Sequence, residues 1–362
     1  MPWRKSVPRR RLRARATSSS QTRVEAALKR YLFLTCLALA CALPAAAQQY
    51  TIKFATLAPE GSTWLKVMRD FDKAVREDSG GRLGFKLYPG GVAGDEKDVI
   101  RKIRLGQYNG GGFTGIGIGE VAKKIRILDA PLLFRNYDEV DYIVQKYEKD
   151  FEQALEDGGF VLLGWAEVGF VYVFSDKPMS SLEDLKSAKA WMWDGDPIAQ
   201  AAYRAIGVSP VPLSITDVMS SLQTGMINAV YSSPYALVAL QWFTRVGYAS
   251  SQPLADALGA AIVSKKLFDS LPDDLKTLLL SDARKYVGRL TPSSRQDNAK
   301  AIETLKGRGM VFTQPTKELA ARSEALGVEA RQLLAGTLFS KDFLEEVEGA
   351  LGSFRQVHAS AR

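Results

Sequence analysis

Cysteine and histidine are almost absent. The two cysteines, Cys36 and Cys41, both fall in the first 47 residues, and the single histidine, His358, sits four residues from the end. Beyond residue 47 no disulfide can form. One terminal histidine without cysteine gives no ordinary zinc site. It also gives neither a Ser-His-Asp nor a Cys-His pair. Most hydrolase mechanisms are thereby excluded. There is no apolar run of the roughly 20 residues a membrane-spanning helix needs, no internal repeat and no low-complexity linker after residue 47. At 362 residues the chain is long enough for two domains.

Positive charge outside the N-terminal segment is also in balance. Residues 1–47 hold ten Lys/Arg and one acid, Glu25, out of 48 basic and 40 acidic residues in all. The remainder carries 38 basic and 39 acidic residues, so the basic character belongs to the leader. Nucleic-acid binding gains no support. The leader reads as a secretory signal: a basic region ending at Lys29-Arg30, an apolar run over 31–43, Pro44, then Ala45-Ala46-Ala47 before a cleavage expected after Ala47. Two alternatives stay open. One is a twin-arginine signal at Arg9-Arg10-Arg11, the other lipidation at Cys41. The periplasm is the expected destination.

The remaining chain alternates between strand and helix signals. Residues 50–55 read as a strand. Ser62 caps a helix with Trp64, Leu65, Met68, Phe71 and Val75 on one face. Residues 85–88 form a second strand, and Asp95 caps a second helix. This order predicts an α/β fold with a parallel sheet flanked by helices. Residues 109–119 are rich in glycine, and Gly110, Gly112 and Gly115 match G-x-G-x-x-G. A dinucleotide loop should follow a strand and open a helix; here a strand and loop with close backbone approach is expected. Helices are expected over 137–155, 197–206, 217–222, 234–246 and 272–305. Strands are expected over 160–165, 168–174, 229–231, 260–263 and 310–312. Asp194 and Asp196 are too few oxygens for calcium; a turn and helix cap fit better. No cofactor or metal is implied.

Six phrases, in order, resemble the solute receptors of TRAP transporters: residues 87–95 (Tyr88-Pro89 to Gly94-Asp95), 129–134 (Asp129-Ala130-Pro131), 182–186, 206–212 (Ile206-Gly207 to Pro212), 218–225 (Leu222-Gln223-Thr224-Gly225) and 271–275. The resemblance runs from about residue 50 to 315. It implies two α/β domains of periplasmic-binding-protein type, each a central sheet flanked by helices. Crossing strands and a long C-terminal helix would hinge them, and they would close on a ligand. By this analogy the first domain spans 48–168 with 259–298, and the second 169–258 with 299–362.

The departures from that family matter most for the ligand. The resemblance aligns the family's carboxylate-binding arginine with Trp191 and a second arginine with Val171, and a ligand-contacting asparagine becomes Ser232. A guanidinium offers a carboxylate a rigid fork of donors; an indole offers an apolar face and one donor. The chain therefore resembles a minority branch that lacks the arginine, pairs with a TPR-repeat periplasmic protein and takes apolar ligands. Trp191 and Trp193 share one strand face. Phe170 and Tyr172 share one face of the preceding strand and Val171 takes the other; which of the two lines a cleft stays open. Tyr231, Ser232, Ser233, Phe113, Thr114 and Trp64 complete the candidate site, and each also fits ordinary core packing. The expected function is a receptor that binds a largely hydrophobic or aromatic small molecule and delivers it to TRAP permease subunits. The alternatives are a ligand-presenting sensor or scaffold, and an enzyme using Asp194 and Asp196.

Overall fold

The computed structural model describes residues 50–359. The leader, its cleavage after Ala47 and Cys41 lie outside the described residues. Among those described, no helix is long and apolar enough to cross a membrane.

Twelve strands and fourteen helices can be followed through these residues. The helices are α1 (Thr63–Asp78), α2 (Glu96–Arg104), α3 (Gly115–Val121), α4 (Tyr137–Lys146), α5 (Glu148–Asp157), α6 (Leu182–Ser187), α7 (Pro197–Ile206), α8 (Val218–Thr224), α9 (Pro234–Ala239), α10 (Lys265–Ser270), α11 (Asp273–Tyr286), α12 (Leu290–Gly307), α13 (Lys317–Leu334) and α14 (Lys341–Ala359). A first sheet contains β1 (Tyr50–Thr56), β2 (Leu83–Tyr88), β3 (Gly110–Thr114), β4 (Phe160–Trp165) and β11 (Gly259–Ser264), in the order β2-β1-β3-β11-β4. A second contains β5 (Gly169–Ser175), β8 (Ala229–Ser232), β9 (Tyr248–Ser250), β10 (Ala255–Ala257) and β12 (Val311–Thr313). The short strands β6 (Trp191–Trp193) and β7 (Val211–Leu213) pair in parallel beside it. The result is the two-domain α/β fold expected.

Local sequence explains the elements. In β1, Ile52 and Phe54 are buried while Thr51 and Lys53 face solvent. The Ser62 hydroxyl accepts from the Leu65 N–H, and α1 buries Leu65, Met68, Phe71 and Val75. Asp196 caps α7, Pro197 occupies its first turn, and Gly207 closes it at a φ of 79°.

Two chain crossings lie side by side between the sheets. β4 runs into β5 through 166–168, and β10 into β11 through residue 258. The Ala166 N–H donates to the Gly259 carbonyl at 2.7 Å, and the Val168 N–H to the Ala257 carbonyl at 2.9 Å. A side chain at Gly259 would overlap the Ala166 carbonyl, so the crossing requires glycine there. Helix α12 braces it: Leu290 is buried with the first sheet and Leu305 with the second. Between them, the Asn298 Nδ2 donates to the Val168 carbonyl at 2.7 Å.

The structure departs from the sequence reading in several places. The first sheet is parallel only across β2-β1-β3; β11 runs antiparallel to β3 and β4, because it returns from the second domain. After strand β3 the glycine-rich segment is helical, as α3, not a loop. Packing outweighs the poor helix propensity of glycine: a Cβ at Gly115 would overlap Asp129, and one at Gly117 would crowd the Phe113 ring. The helix expected over 137–155 breaks at Tyr147. The helix beginning at Pro234 stops at Ala239, after which Gln241 adopts a left-handed φ of 60°. Strands β7, β9 and β10 were not legible in the sequence. Helix α14, grouped above with the second domain, buries Leu344, Val347 and Leu351 in the same core as Ile143 and Phe151 of the first.

Candidate functional site

A cavity of about 230 Å³ lies between the two sheets and takes walls from both. Val171 and Val173 of β5 form one wall, Trp191 and Trp193 of β6 another. Tyr231 and Ser232 end β8, Ser233 caps α9, and Thr114 caps α3; all four reach the cavity. Most of the lining is aliphatic or aromatic, the composition of a small-molecule site.

Trp191 forms the centre of the aromatic wall. Its ring stacks on Tyr231, with centroids 4.8 Å apart and planes 19° apart, and meets Trp242 edge-on at 5.5 Å. Its indole N–H donates to the Leu213 carbonyl at 3.0 Å. Trp191 is only 1% exposed, so it belongs to the core of the second domain and to the cavity wall at once. The indole N–H of Trp193 donates to Asp95, and the Trp193 backbone N–H to the Tyr231 hydroxyl, at 3.1 Å each. Both tryptophans thus offer a ligand apolar surface, their donors being engaged within the protein.

Four candidates lie elsewhere. β-strand alternation turns Val171 to the cavity and Phe170 away, where its ring packs on Tyr137 at 4.6 Å. Tyr172, on the Phe170 face, packs among the hydrophobic side chains of both domain cores instead of the cavity. Phe113 is buried against Gly117 in the first-domain core. Trp64 stacks on Phe54 at 6.3 Å and fills the space that a side chain at Gly112 would need.

The charged part of the site was not read from the sequence. Among the described residues, Arg126 is the one Lys or Arg lining the cavity, and it is consumed internally. Its Nε donates to Asp129 at 2.6 Å and its Nη2 to Asp196 at 2.9 Å. Burial alone would lower the Arg126 pKa; the two carboxylates outweigh it and raise it. Asp129 is raised by burial even though Arg126 opposes the shift, and it also accepts from the Leu258 N–H at 2.7 Å. Arg126 lies in the segment 123–126 with two lysines, a pattern that reads as solvated charge. Only the fold reveals that it is buried.

Other polar groups are occupied in part, and Asp256, also on the lining, has a buried Oδ1 without a hydrogen-bond partner among the described residues. Glu96 is buried beneath the N-terminus of α3, where its carboxylate accepts from Thr114 N–H, Thr114 O–H and Gly117 N–H at 2.8–2.9 Å. That carboxylate occupies the donors a phosphate would need at this helix terminus, and it engages the Thr114 hydroxyl too. Burial pushes the Glu96 carboxyl up to about 7. Tyr231 is raised well above the ordinary phenol value, chiefly by burial, then by Asp196. Asp194 and Asp196 do not act as a pair: Asp194 is exposed, Asp196 buried and ion-paired.

Residues 54–333 match the family of bacterial extracellular solute-binding proteins, family 7, known as DctP. The C4-dicarboxylate-binding periplasmic protein DctP of Rhodobacter capsulatus is 23% identical over 298 residues, 80% of this chain and 87% of that one. The 2,3-diketo-L-gulonate-binding periplasmic protein YiaO of Escherichia coli K12 is 26% identical, covering 73% of this chain and 81% of its own. A similar structure is the sugar acid binding protein of Advenella mimigardefordensis in complex with galactonate, with a TM-score of 0.78 and 19% identity. That match covers 84% of this chain and 99% of the other. With the family match running over residues 54–333, and with a cavity lying between two α/β domains, the chain belongs to family 7 of the bacterial extracellular solute-binding proteins and is a TRAP-type solute-binding receptor.

Proposed function

We propose that this receptor takes a largely hydrophobic or aromatic ligand into the interdomain cavity and delivers it to TRAP permease subunits from the periplasm. The domains would be 50–168 with 259–298, and 169–258 with the segment after 299 as far as α13. They would close about 166–168 and 258 by hinge bending. The proposed ligand contacts are Trp191, Trp193, Val171, Tyr231, Ser232 and Ser233. A TPR-repeat periplasmic protein is the proposed second partner, since the resemblance is to the branch without the arginine.

One observation carries this reading. Among the described residues the cavity has a single cation, Arg126, held between Asp129 and Asp196. The named relatives bind acids: a C4-dicarboxylate, 2,3-diketo-L-gulonate, galactonate. Where such a ligand would need a free guanidinium, this chain has the buried indole of Trp191. A carboxylate would lose its water without gaining a free cation. An apolar ring gains about 1.5–3 kcal/mol by area against the same wall.

Calorimetry with succinate, malate and galactonate tests the proposal, together with mass spectrometry of whatever copurifies. Each acid should bind no tighter than about millimolar, near −4 kcal/mol, and the copurified molecule should be apolar. Micromolar binding of any of the three acids would overturn it.

A further inference from the structure

The aromatic wall accounts for only part of the cavity. A small hydrophobic cluster sits apart from the main core of the second domain, built by α6, α7 and the strands beside them. Met179, Leu185, Ala188, Ile206, Val208 and Ala229 belong to it. Every member of the cluster also lines the cavity. These side chains thus pack together on one side and face open space on the other. Such a void forfeits the dispersion contacts its walls would otherwise make. Lined by aliphatic groups, it stays dry and takes apolar guests. Its walls carry no ring besides Tyr203, whose hydroxyl donates to the Trp191 carbonyl at 2.7 Å.

Another part of the lining is polar but carries no spare positive charge. There the Tyr231 oxygen accepts from the Trp193 N–H, and the phenolic proton is left to donate. Ser233 accepts from the Ala236 N–H and keeps its own proton as well. Around them stand Arg126, Asp129, Asp196 and Asp256, three carboxyl groups to one guanidinium. This part suits a neutral oxygen acceptor and opposes a carboxylate.

Resting on the apolar-ligand reading above, we infer that the ligand is a neutral amphiphile: a flexible alkyl tail in the sleeve between α6 and α7, and one hydroxyl or carbonyl oxygen at Tyr231. The sleeve makes chain length a determinant of affinity, which an aromatic wall alone would not.

Tryptophan fluorescence and native mass spectrometry of the purified chain test this with hexanol, octanol, decanol and dodecanol, and with decanoate and phenol as references. Affinity should rise about tenfold for each two carbons added until the sleeve is full. Decanoate at neutral pH should bind at least about tenfold more weakly than decanol, since its ionised end meets Asp129 and Asp196. Val208→Phe, which fills the sleeve, should abolish the length dependence and spare phenol. Ala188→Leu fills it from another wall and serves if the first variant does not fold. Phenol binding with a flat alcohol series, or a steep series unchanged in both filled variants, overturns the sleeve alone. Decanoate binding as tightly as decanol overturns the neutral head. Failure of phenol and all four alcohols to bind overturns the apolar-ligand reading itself.

Discussion

The indole N–H of Trp193 reaches across the cleft to the carboxylate of Asp95, 3.1 Å from both oxygens. Asp95 belongs to the first sheet's side, where it also caps α2; Trp193 belongs to the second. Ser214 donates to the same carboxylate at 2.5 Å, and the Lys97 Nζ donates to the Asp194 and Gly195 carbonyls at 3.1 and 3.0 Å. These contacts join the two sides beside the cavity and would act as a latch on the closure proposed above.

Ser214 lies outside the cavity wall, so Ser214→Ala weakens the latch without touching a ligand. The lost hydrogen bond to a charged group contributes about 1.5–3 kcal/mol to closure. The unliganded variant should show a larger radius of gyration by small-angle scattering, and decanol should bind at least several-fold more weakly. An unchanged radius with unchanged affinity would mean that the latch does not govern closure. Trp193→Phe should open the receptor as well, with an added loss from the cavity wall.

Arg126 joins the same two sides from within. Arg126→Gln leaves Asp129 and Asp196 buried without their cation, a change that costs about 3–5 kcal/mol. Asp129, already raised by burial, would lose the cation that opposes that shift, so the variant is penalised more as pH rises above about 4. Denaturant unfolding should therefore show a larger deficit at pH 7 than at pH 5. A deficit below about 1 kcal/mol at pH 7 would contradict the geometry.

Much of the fold was legible because its signals are local. The Ser62, Asp95 and Asp196 caps, the alternation in β1 and the aliphatic run of β4 need no tertiary information. The family phrases located Trp191, Val171 and Ser232. What stayed hidden depends on contacts distant in sequence. Arg126 and Asp196 are 70 residues apart, and a basic residue beside two lysines carries no mark of burial. The face of β5 that lines the cavity is decided by Tyr137, which holds Phe170 on the other side. The helix α3 is unreadable from its glycines because close packing, not propensity, requires them.

Glu96 gives a pH signature. Its carboxyl is raised by burial to about 7, against an ordinary value of 4.5. The folded state therefore holds a proton that the unfolded state releases between about pH 4.5 and 7, and stability from this group falls as pH rises through that window. The full shift corresponds to about 3 kcal/mol. Glu96→Gln is neutral throughout and should flatten the dependence between those limits, as measured by denaturant unfolding at intervals of pH. An identical slope in the variant would place the titration on other groups.

Trp191 distinguishes a wall from a core. Trp191→Ala removes the stack on Tyr231, the contact with Trp242 and the bond to the Leu213 carbonyl, so stability should fall by about 3–5 kcal/mol. Binding should weaken as well, by about 1–2 kcal/mol for phenol or decanol, from the apolar area no longer available to the ligand. Trp191→Phe keeps a ring but orphans the Leu213 carbonyl, and should lose less affinity than stability. Trp191→Arg places a buried guanidinium against the apolar guest and should abolish its binding. The measurement is fluorescence of the remaining tryptophans, or calorimetry, at a temperature where each variant is folded by circular dichroism. The two effects separate the roles: lost stability follows from core packing alone, whereas lost affinity in a folded protein requires the indole to touch the ligand. Folded Trp191→Ala with undiminished affinity would confine Trp191 to the core and leave the cavity without its principal recognition surface.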